Sequence, residues 1–264
     1  MLEKVIHLKD LIVRKQKLPS TEPILQKTGS PIEEARKLAR EHPAFKEQWQ
    51  VNFAGITISG ESGTGKTTLA EFFGEIYHIP EERNIKIGQL MRKAQEKLEE
   101  EGYIDRPISL DKNVDDLQKQ IIKHATLDNP FVLEGRRSGE FVHEEKQNNP
   151  ELPVIAVQLI ASLEKIRERV KKRNSHLSDQ EIDQLLSNRA QLDHSQWAES
   201  SAKPIDEINP YDPKNFDLIV DTNDMDVNQA FDYIHNWLLE KGLIRRIGPK
   251  DLTEVVQIFP SQNL

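Results

Sequence analysis

Apolar residues follow two alternating patterns from residue 51 to about residue 240. Short, continuous apolar runs are typical of strands that are buried on both faces, whereas apolar positions three or four residues apart are typical of amphipathic helices. The runs that predict strands are VNFAGITIS at 51–59, NIKIG at 84–88, PFVLEG at 130–135, LPVIAVQLIA at 152–161 and FDLIVD at 216–221. Helices are predicted from Lys66, from about Gln89, from about Asp111, from near Ser162, over 179–200, and from a candidate N-cap at Asp226 to about Leu239.

This alternation predicts an α/β fold with a parallel five-stranded sheet and helices on both faces. We expect the sheet in a main domain at 49–242, with a mostly helical extension at 1–48 and a short tail at 243–264. The extension is interpreted as helices packed on the core or on a second subunit. In a parallel sheet of this kind, ligands bind at the carboxyl ends of the strands.

The first predicted strand runs into a glycine-rich loop and then into a helix. This segment fits the pattern GxxxxGK[ST] of a phosphate-binding loop, in which oriented N–H groups and the helix dipole hold a polyphosphate. The alternative is a strand-to-helix turn with a chance lysine. Lysine is expected to reach the terminal phosphates, and the following threonine to contact Mg²⁺. The predicted nucleotide-binding residues are Gly60, Glu61, Ser62, Gly63, Thr64, Gly65, Lys66, Thr67 and Thr68.

Composition narrows the classes of partner. The formal net charge of −8 and the pI near 5.6 argue against nucleic acid or an anionic membrane as a partner. No apolar stretch approaches the roughly 18 residues of a membrane span. The chain has no cysteine, so thiolate metal sites are excluded. Charged residues interrupt any signal-peptide pattern at the N-terminus, and we expect a cytoplasmic protein.

Arginines stand after several predicted strands, where the ligand crevice is expected. Arg92 follows the second strand, and Arg136 and Arg137 follow the third. Guanidinium groups bind phosphate in a bidentate manner, so these residues are candidates to hold a second phosphate group. The alternative is that Arg136 and Arg137 are surface residues on a turn. A further cationic set on the helix after the fourth strand and the polar segment beyond it is typical of a closing lid, or of an ordinary exposed helix: Arg167, Arg169, Arg173 and Arg189.

Two carboxylates complete the candidate site. Glu134 ends the third strand and is predicted to orient Mg²⁺-bound water, although a structural cap for the next turn is an alternative. Asp115 lies in the segment expected on the acceptor side and is a candidate contact to sugar or base. A plain carboxylate on a helix surface explains Asp115 equally well.

The order of these motifs resembles the cytidylate kinase family over about residues 52–240. The matching segments are GESGTGKTT, GQLMRKA, DKNVDDLQ, EGRRSG, RERVKKR, NRAQLDHSQW and FDLIVDT. The resemblance implies a P-loop nucleoside monophosphate kinase fold and transfer of a phosphoryl group from ATP, with Mg²⁺, to CMP or dCMP. It implies that Gly60 to Thr68 bind ATP and that Arg92 and Arg136 bind the acceptor phosphate. It also implies an acceptor-binding segment near 88–128, and a lid near 167–195 that carries Arg169, Arg173 and Arg189.

Two positions depart from that family. Arg137 stands where bacterial members carry an aspartate near the cytosine, and Gln196 precedes Trp197 where an arginine is usual. The acceptor is therefore open to AMP, UMP or a non-nucleotide alcohol. A nucleotide-binding regulatory module without turnover is a further alternative, with the N-terminal extension as a homodimer or partner surface. A GTPase switch is disfavoured because NKxD and DxxG segments are missing.

Overall fold

The computed structural model describes residues 31–100, 108–201, 204 and 207–248, with the side chains at 108–109, 189 and 192–194 excepted. Parts of the predicted extension (1–30) and tail (249–264) lie outside these residues. The strands are β1 Trp49–Val51, β2 Gly55–Gly60, β3 Asn84–Lys86, β4 Phe131–Glu134, β5 Val154–Ile160, β6 Leu218–Asp221 and β7 Ile244–Arg246. The helices are α1 Pro31–Glu41, α2 Lys66–Ile76, α3 Ile87–Glu100, α4 Ile108–Lys123, α5 Ser138–Asn148, α6 Leu163–Arg173, α7 Asp179–Ser201 and α8 Val227–Glu240.

The main sheet has five parallel strands in the order β3-β4-β2-β5-β6, which confirms the predicted fold class. Its central strands β2 and β5 are buried along nearly their whole length because helices cover both faces. Alternate residues of β5 therefore enter two different cores: Ile155 and Val157 pack with α2 and α8, whereas Val154 and Ala156 pack with α4 and α5.

Local signals account for several helix starts. Ser162 caps α6 by accepting from the backbone N–H of Lys165 at 3.2 Å. Asp226 caps α8 in a capping box with Gln229, so the N-cap predicted at Asp226 is confirmed. Within the described ranges, none of the helices combines the length and apolarity that a bilayer crossing requires.

The predicted strand at 51–59 is divided in two. The chain pairs first as β1 with β7 in an antiparallel ribbon, in which Trp49 lies opposite Arg246, and re-enters the main sheet at Gly55. This ribbon joins the beginning of the predicted main domain to the beginning of the predicted tail. Helix α1, in the described part of the extension, packs on α2, and its Ala35 and Ala39 are buried. A role of the extension in dimer or partner contact stays a prediction.

Candidate active site

The loop between β2 and α2 has backbone conformations that glycine adopts more readily than other residues. Gly60 has φ 141° and Gly63 has φ 99°. A Cβ atom at Gly60 would lie 2.3 Å from the carbonyl oxygen of Leu159, and one at Gly63 would lie 3.1 Å from the side chain of Ile166. The loop is therefore packed tightly against β5 and α6. It leads directly into α2, whose first-turn N–H groups form an anion-binding end.

Lys66 lies at the start of α2, and its side chain turns back over the loop. Its ammonium donates to the carbonyl of Glu61 at 2.8 Å, and only 7% of the residue is exposed. Burial lowers the pKa of Lys66 to about 8; the carboxylate of Glu134 opposes this shift, and the guanidinium groups of Arg136 and Arg173 add to it. An anion bound beside Lys66 would relieve both the desolvation and the repulsion.

Thr67 and Glu134 face each other across the mouth of the loop. The hydroxyl of Thr67 donates to Glu134 Oε2 at 3.4 Å, and Glu134 is buried at the end of β4. A hydroxyl and a carboxylate are oxygen ligands of the kind that Mg²⁺ prefers. The residues present therefore fit a magnesium ion between the phosphate loop and β4.

Three arginines approach this point from different elements. A Cβ atom placed on Gly88 would lie 3.6 Å from Nη1 of Arg92 and 4.0 Å from each carboxylate oxygen of Glu134. The guanidinium of Arg92 therefore reaches back towards the end of β4. Arg136 follows β4 and is half-buried. Partial desolvation lowers the pKa of Arg173, and the charges of Arg92 and Arg169 lower it further. The carboxyl end of the sheet thus collects positive charge in a protein whose net charge is −8.

Arg169 is bound to the loop after β6. Its guanidinium donates to the hydroxyl of Thr222 at 3.0 Å and to the carbonyl of Thr222 at 2.5 Å. The hydroxyl of Thr222 donates to the carbonyl of Ile160 at 3.1 Å and lies 3.5 Å from the carbonyl of Thr64, so Arg169 and Thr222 lie beside one flank of the phosphate loop. Arg167 forms an exposed pair with Asp183. The side chain of Arg189 lies outside the described part of α7.

Arg137, a predicted ligand of the second phosphate group, and Asp115, a candidate contact to sugar or base, bind each other. Arg137 donates to Asp115 at 2.6 Å, to Glu140 at 2.8 Å and to Ser201 at 2.9 Å, and only 4% of it is exposed. Burial raises the pKa of Asp115 to about 6, against the opposing effect of Arg137. The contacts of Arg137 tie together α4, α5 and the end of α7. The guanidinium of Arg137 is therefore occupied by contacts within the protein and is not open to a phosphate group, contrary to the prediction.

Sequence reasoning missed Tyr211, which lies between α7 and β6. Burial raises the pKa of Tyr211; the charge of Arg136 opposes this shift and that of Glu61 adds to it. Its ring meets that of Trp197 edge to face, with centroids 6.4 Å apart. The surrounding NPYDP segment has only the signature of a turn, so no periodic pattern pointed to this residue.

Comparison with known proteins identifies a family and two named relatives. Residues 56–192 match the model of a family described as an AAA domain. The chain is 27% identical over 184 residues to a cytidylate kinase of Methanocaldococcus jannaschii, covering 68% of this chain and 94% of the relative. It is 30% identical over 129 residues to a cytidylate kinase of Methanobrevibacter smithii, covering 47% of this chain and 66% of the relative. These relatives confirm the resemblance drawn from the motifs.

Solved structures show similar chains at lower sequence identity. A protein from Eubacterium ventriosum is 19% identical, with a TM-score of 0.47, and covers 70% of this chain and 97% of its own.

Proposed function

Since the chain belongs to the AAA domain family and carries a kinase-like P-loop domain, we propose that it transfers the γ-phosphoryl group of ATP to a nucleoside monophosphate, CMP or dCMP, in the presence of Mg²⁺. The base is proposed from the names of the two relatives. The products would be ADP and a nucleoside diphosphate.

The observation that carries this proposal is the crowding of cations around Lys66. Desolvation lowers the pKa of Lys66, and Arg136 and Arg173 add to this shift although Glu134 opposes it. Desolvation also lowers the pKa of Arg173, and Arg92 adds to that shift. Such crowding is unfavourable unless anions bind among the cations. One polyphosphate over the phosphate loop accounts for Lys66, whereas arginines on α3, after β4 and on α6 support a second phosphorylated compound. This arrangement favours a transferase over a simple nucleotide binder.

Each residue then has a physical task. The loop from Gly60 to Thr68 would bind the phosphates of ATP, with Lys66 at the terminal ones. Arg92 and Arg136 would hold the phosphate of the acceptor. Arg173, with Arg189, would approach the transferring group from the lid. Arg169 would hold the flank of the loop, and Arg137 with Asp115 would support the acceptor side from behind.

Thr67 and Glu134 would hold magnesium, directly or through water. The ion, when bound, supplies neutralisation of phosphate charge. The hydroxyl of Thr67 and the carboxylate of Glu134 provide the required oxygen atoms at adjacent ends of α2 and β4.

The reaction needs no dedicated base, because the acceptor phosphate is already ionised and presents an oxygen nucleophile. Catalysis would rest on holding two anions in line and on stabilising negative charge on the transferring group. Closure of the cationic α6 and the following segment would exclude water, which would otherwise hydrolyse ATP.

A panel of acceptors tests the proposal. The purified full chain is incubated with ATP and Mg²⁺ and with CMP, dCMP, UMP or AMP, and diphosphate products are measured by ³¹P NMR and mass spectrometry. We expect CDP and dCDP as the main products, and none with Lys66→Met. ATP binding without any diphosphate product would favour a regulatory module, and rapid ATP hydrolysis without acceptor would favour a switch or motor.

A further inference from the structure

Glu71 is a carboxylate buried in α2 that none of the proposed steps uses. It lies one helical turn after Thr67 and is 1% exposed. Its Oε1 lies 2.6 Å from the ammonium of Lys86 on β3, and its Oε2 accepts from Arg36 Nε of α1 at 2.9 Å. Two cations from two different elements therefore meet one carboxylate on the helix that begins at the phosphate loop.

Lys86 has a second carboxylate beside it. Lys86 and Glu134 are register partners on the adjacent parallel strands β3 and β4, which in such sheets run about 4.8 Å apart. Register partners point to the same face of a sheet, and both side chains are buried. Thr67 and Glu71, one turn apart on α2, lie against this face. The structure pairs Thr67 with Glu134 and Glu71 with Lys86.

Pairing of Lys86 with Glu134 in place of Glu71 would have a chemical consequence. An ammonium that turned from Glu71 to Glu134 would neutralise the carboxylate proposed to hold magnesium. A buried lysine needs a carboxylate partner, because an unpaired charge in the interior is strongly unfavourable. Without Glu71, the register partner of Lys86, Glu134, is a buried carboxylate on the same face that can take this place.

We propose that Glu71 is a positioning residue that holds Lys86 away from Glu134 and so leaves Glu134 available to a divalent cation. Arg36 supports this role, because its Nε binds Oε2 of Glu71 and leaves Oε1 facing the ammonium of Lys86. Helix α1, which lies before the matched family segment, is in this way coupled to the metal side of the site. The inference rests on the proposed role of Glu134 in the kinase reaction.

The experiment measures metal binding without turnover. Mn²⁺ is titrated into the full chain with a non-hydrolysable ATP analogue, and free Mn²⁺ is followed by its EPR signal. Glu71→Gln should raise the half-saturating Mn²⁺ concentration about fivefold or more, because Lys86 then competes for Glu134. The double variant Glu71→Gln with Lys86→Met should return it to within about twofold of the unmodified protein, since the competing ammonium is gone.

Matched variants complete the test. Glu75→Gln removes a carboxylate one turn further along α2, which pairs with Arg40 and lies 3.7 Å from Arg36. It should leave Mn²⁺ binding unchanged, because Glu71 still holds Lys86. Lys86→Met alone should also leave it unchanged. Should Glu71→Gln not fold, Glu71→Asp retracts the carboxylate while keeping its charge. A smaller weakening that Lys86→Met again reverses is then expected.

Recovery of Mn²⁺ binding on adding Lys86→Met distinguishes positioning from a merely structural role. A second buried substitution would worsen a structural defect. A double variant as weak as Glu71→Gln, or an unchanged Glu71→Gln, overturns the inference. Glu134→Gln is measured alongside. If Glu134→Gln weakens Mn²⁺ binding and Glu71→Gln does not, only the inference on Glu71 is overturned. If Glu134→Gln has no effect, the metal assignment in the proposed function is overturned with it.

Discussion

The hydroxyl of Thr67 donates to the carboxylate of Glu134 at 3.4 Å and so joins the first turn of α2 to the end of β4. Hydrogen bonds between oxygen atoms are usually about 2.7–2.8 Å long, so this one is weak. Both groups can therefore give up this hydrogen bond and bind a cation instead, at little cost in free energy. The pair links the phosphate-loop motif to the strand that leads into Arg136.

Changes at Thr67 and Glu134 should alter the magnesium requirement. Thr67→Ala and Glu134→Gln each remove one oxygen ligand of the proposed site, and we expect kcat to fall about 100-fold at limiting Mg²⁺ and less at saturating Mg²⁺. Steady-state kinetics over a Mg²⁺ series measures this. Thr67→Ser keeps the hydroxyl and is the matched control. An unchanged Mg²⁺ dependence in Glu134→Gln would remove the carboxylate from the metal site.

ATP binding should be accompanied by uptake of a proton at Lys66. The pKa of Lys66 in the free protein is about 8, and an adjacent polyphosphate raises it. At about pH 8.5 we therefore expect uptake of roughly half a proton or more per ATP bound, since the free lysine is mostly neutral there and the bound one is charged. Calorimetry in two buffers of different ionisation enthalpy measures the uptake.

The control for this proton uptake is Lys66→Arg. Arginine remains charged at this pH in the free and the bound protein, so the buffer dependence should disappear even where binding persists. Proton uptake of the same size in Lys66→Arg would show that another group is responsible.

The parts of the fold that could be predicted are those encoded in short stretches of the chain. Strands β4 and β5 are continuous apolar runs, and the phosphate loop is a fixed pattern of glycine, lysine and threonine. The carboxyl ends of parallel strands meet at one edge, so the sequence also predicts that Arg92 and Arg136 stand at the edge of the sheet where the phosphate loop begins.

Other features depend on contacts between residues far apart in sequence. Nothing near Arg137 in the chain indicates that Ser201 would bind it 64 residues later. In the ribbon of β1 and β7, Gln50 pairs with Arg245. Because β1 pairs with β7 and not with the main sheet, the segment 51–59 is not the single strand that was predicted. The partners of Glu71 come from α1 and β3, whose register no local pattern determines.

Arg136 should act on the acceptor more than on ATP. It is half-buried after β4 and near enough to Lys66 to affect its pKa. Arg136→Ala is expected to raise KM for CMP about tenfold or more with a smaller change in KM for ATP, because it removes a charge-assisted contact to the acceptor phosphate. Two-substrate kinetics gives both values. Equal increases in the two constants would contradict the assigned role.

Arg137 is expected to stabilise the folded protein. Arg137→Met leaves the carboxylates of Asp115 and Glu140 without their buried cation and should lower the free energy of unfolding by about 3 kcal/mol. Urea unfolding followed by circular dichroism measures this loss. Arg167→Met, which removes an exposed pair with Asp183, is the matched control and should cost less than about 1 kcal/mol. A stable Arg137→Met protein with a raised KM for CMP would instead make Arg137 an acceptor ligand.

His235 should make the protein sensitive to acid. Its Nδ1 lies 2.8 Å from the hydroxyl of Tyr77, and burial lowers its pKa to about 4, with Asp232 opposing the shift and His42 adding to it. Between pH 6.5 and 4 the unfolded chain therefore binds a proton that the folded one does not, so the free energy of unfolding decreases as pH falls through this range. We expect a loss of about 1–2 kcal/mol from this residue.

Unfolding by urea at pH 7 and at about pH 4.5 tests the assignment to His235. Asparagine can replace the imidazole Nδ1 as a neutral hydrogen-bonding group, so His235→Asn should be less stable than the unmodified protein at pH 7 but lose less on acidification. His124→Asn, at an exposed site after α4, should keep the full acid loss. If His235→Asn loses as much stability in acid as the unmodified protein, the proton enters elsewhere, and the buried Tyr77–His235 pair is not the acid-sensitive group of this core.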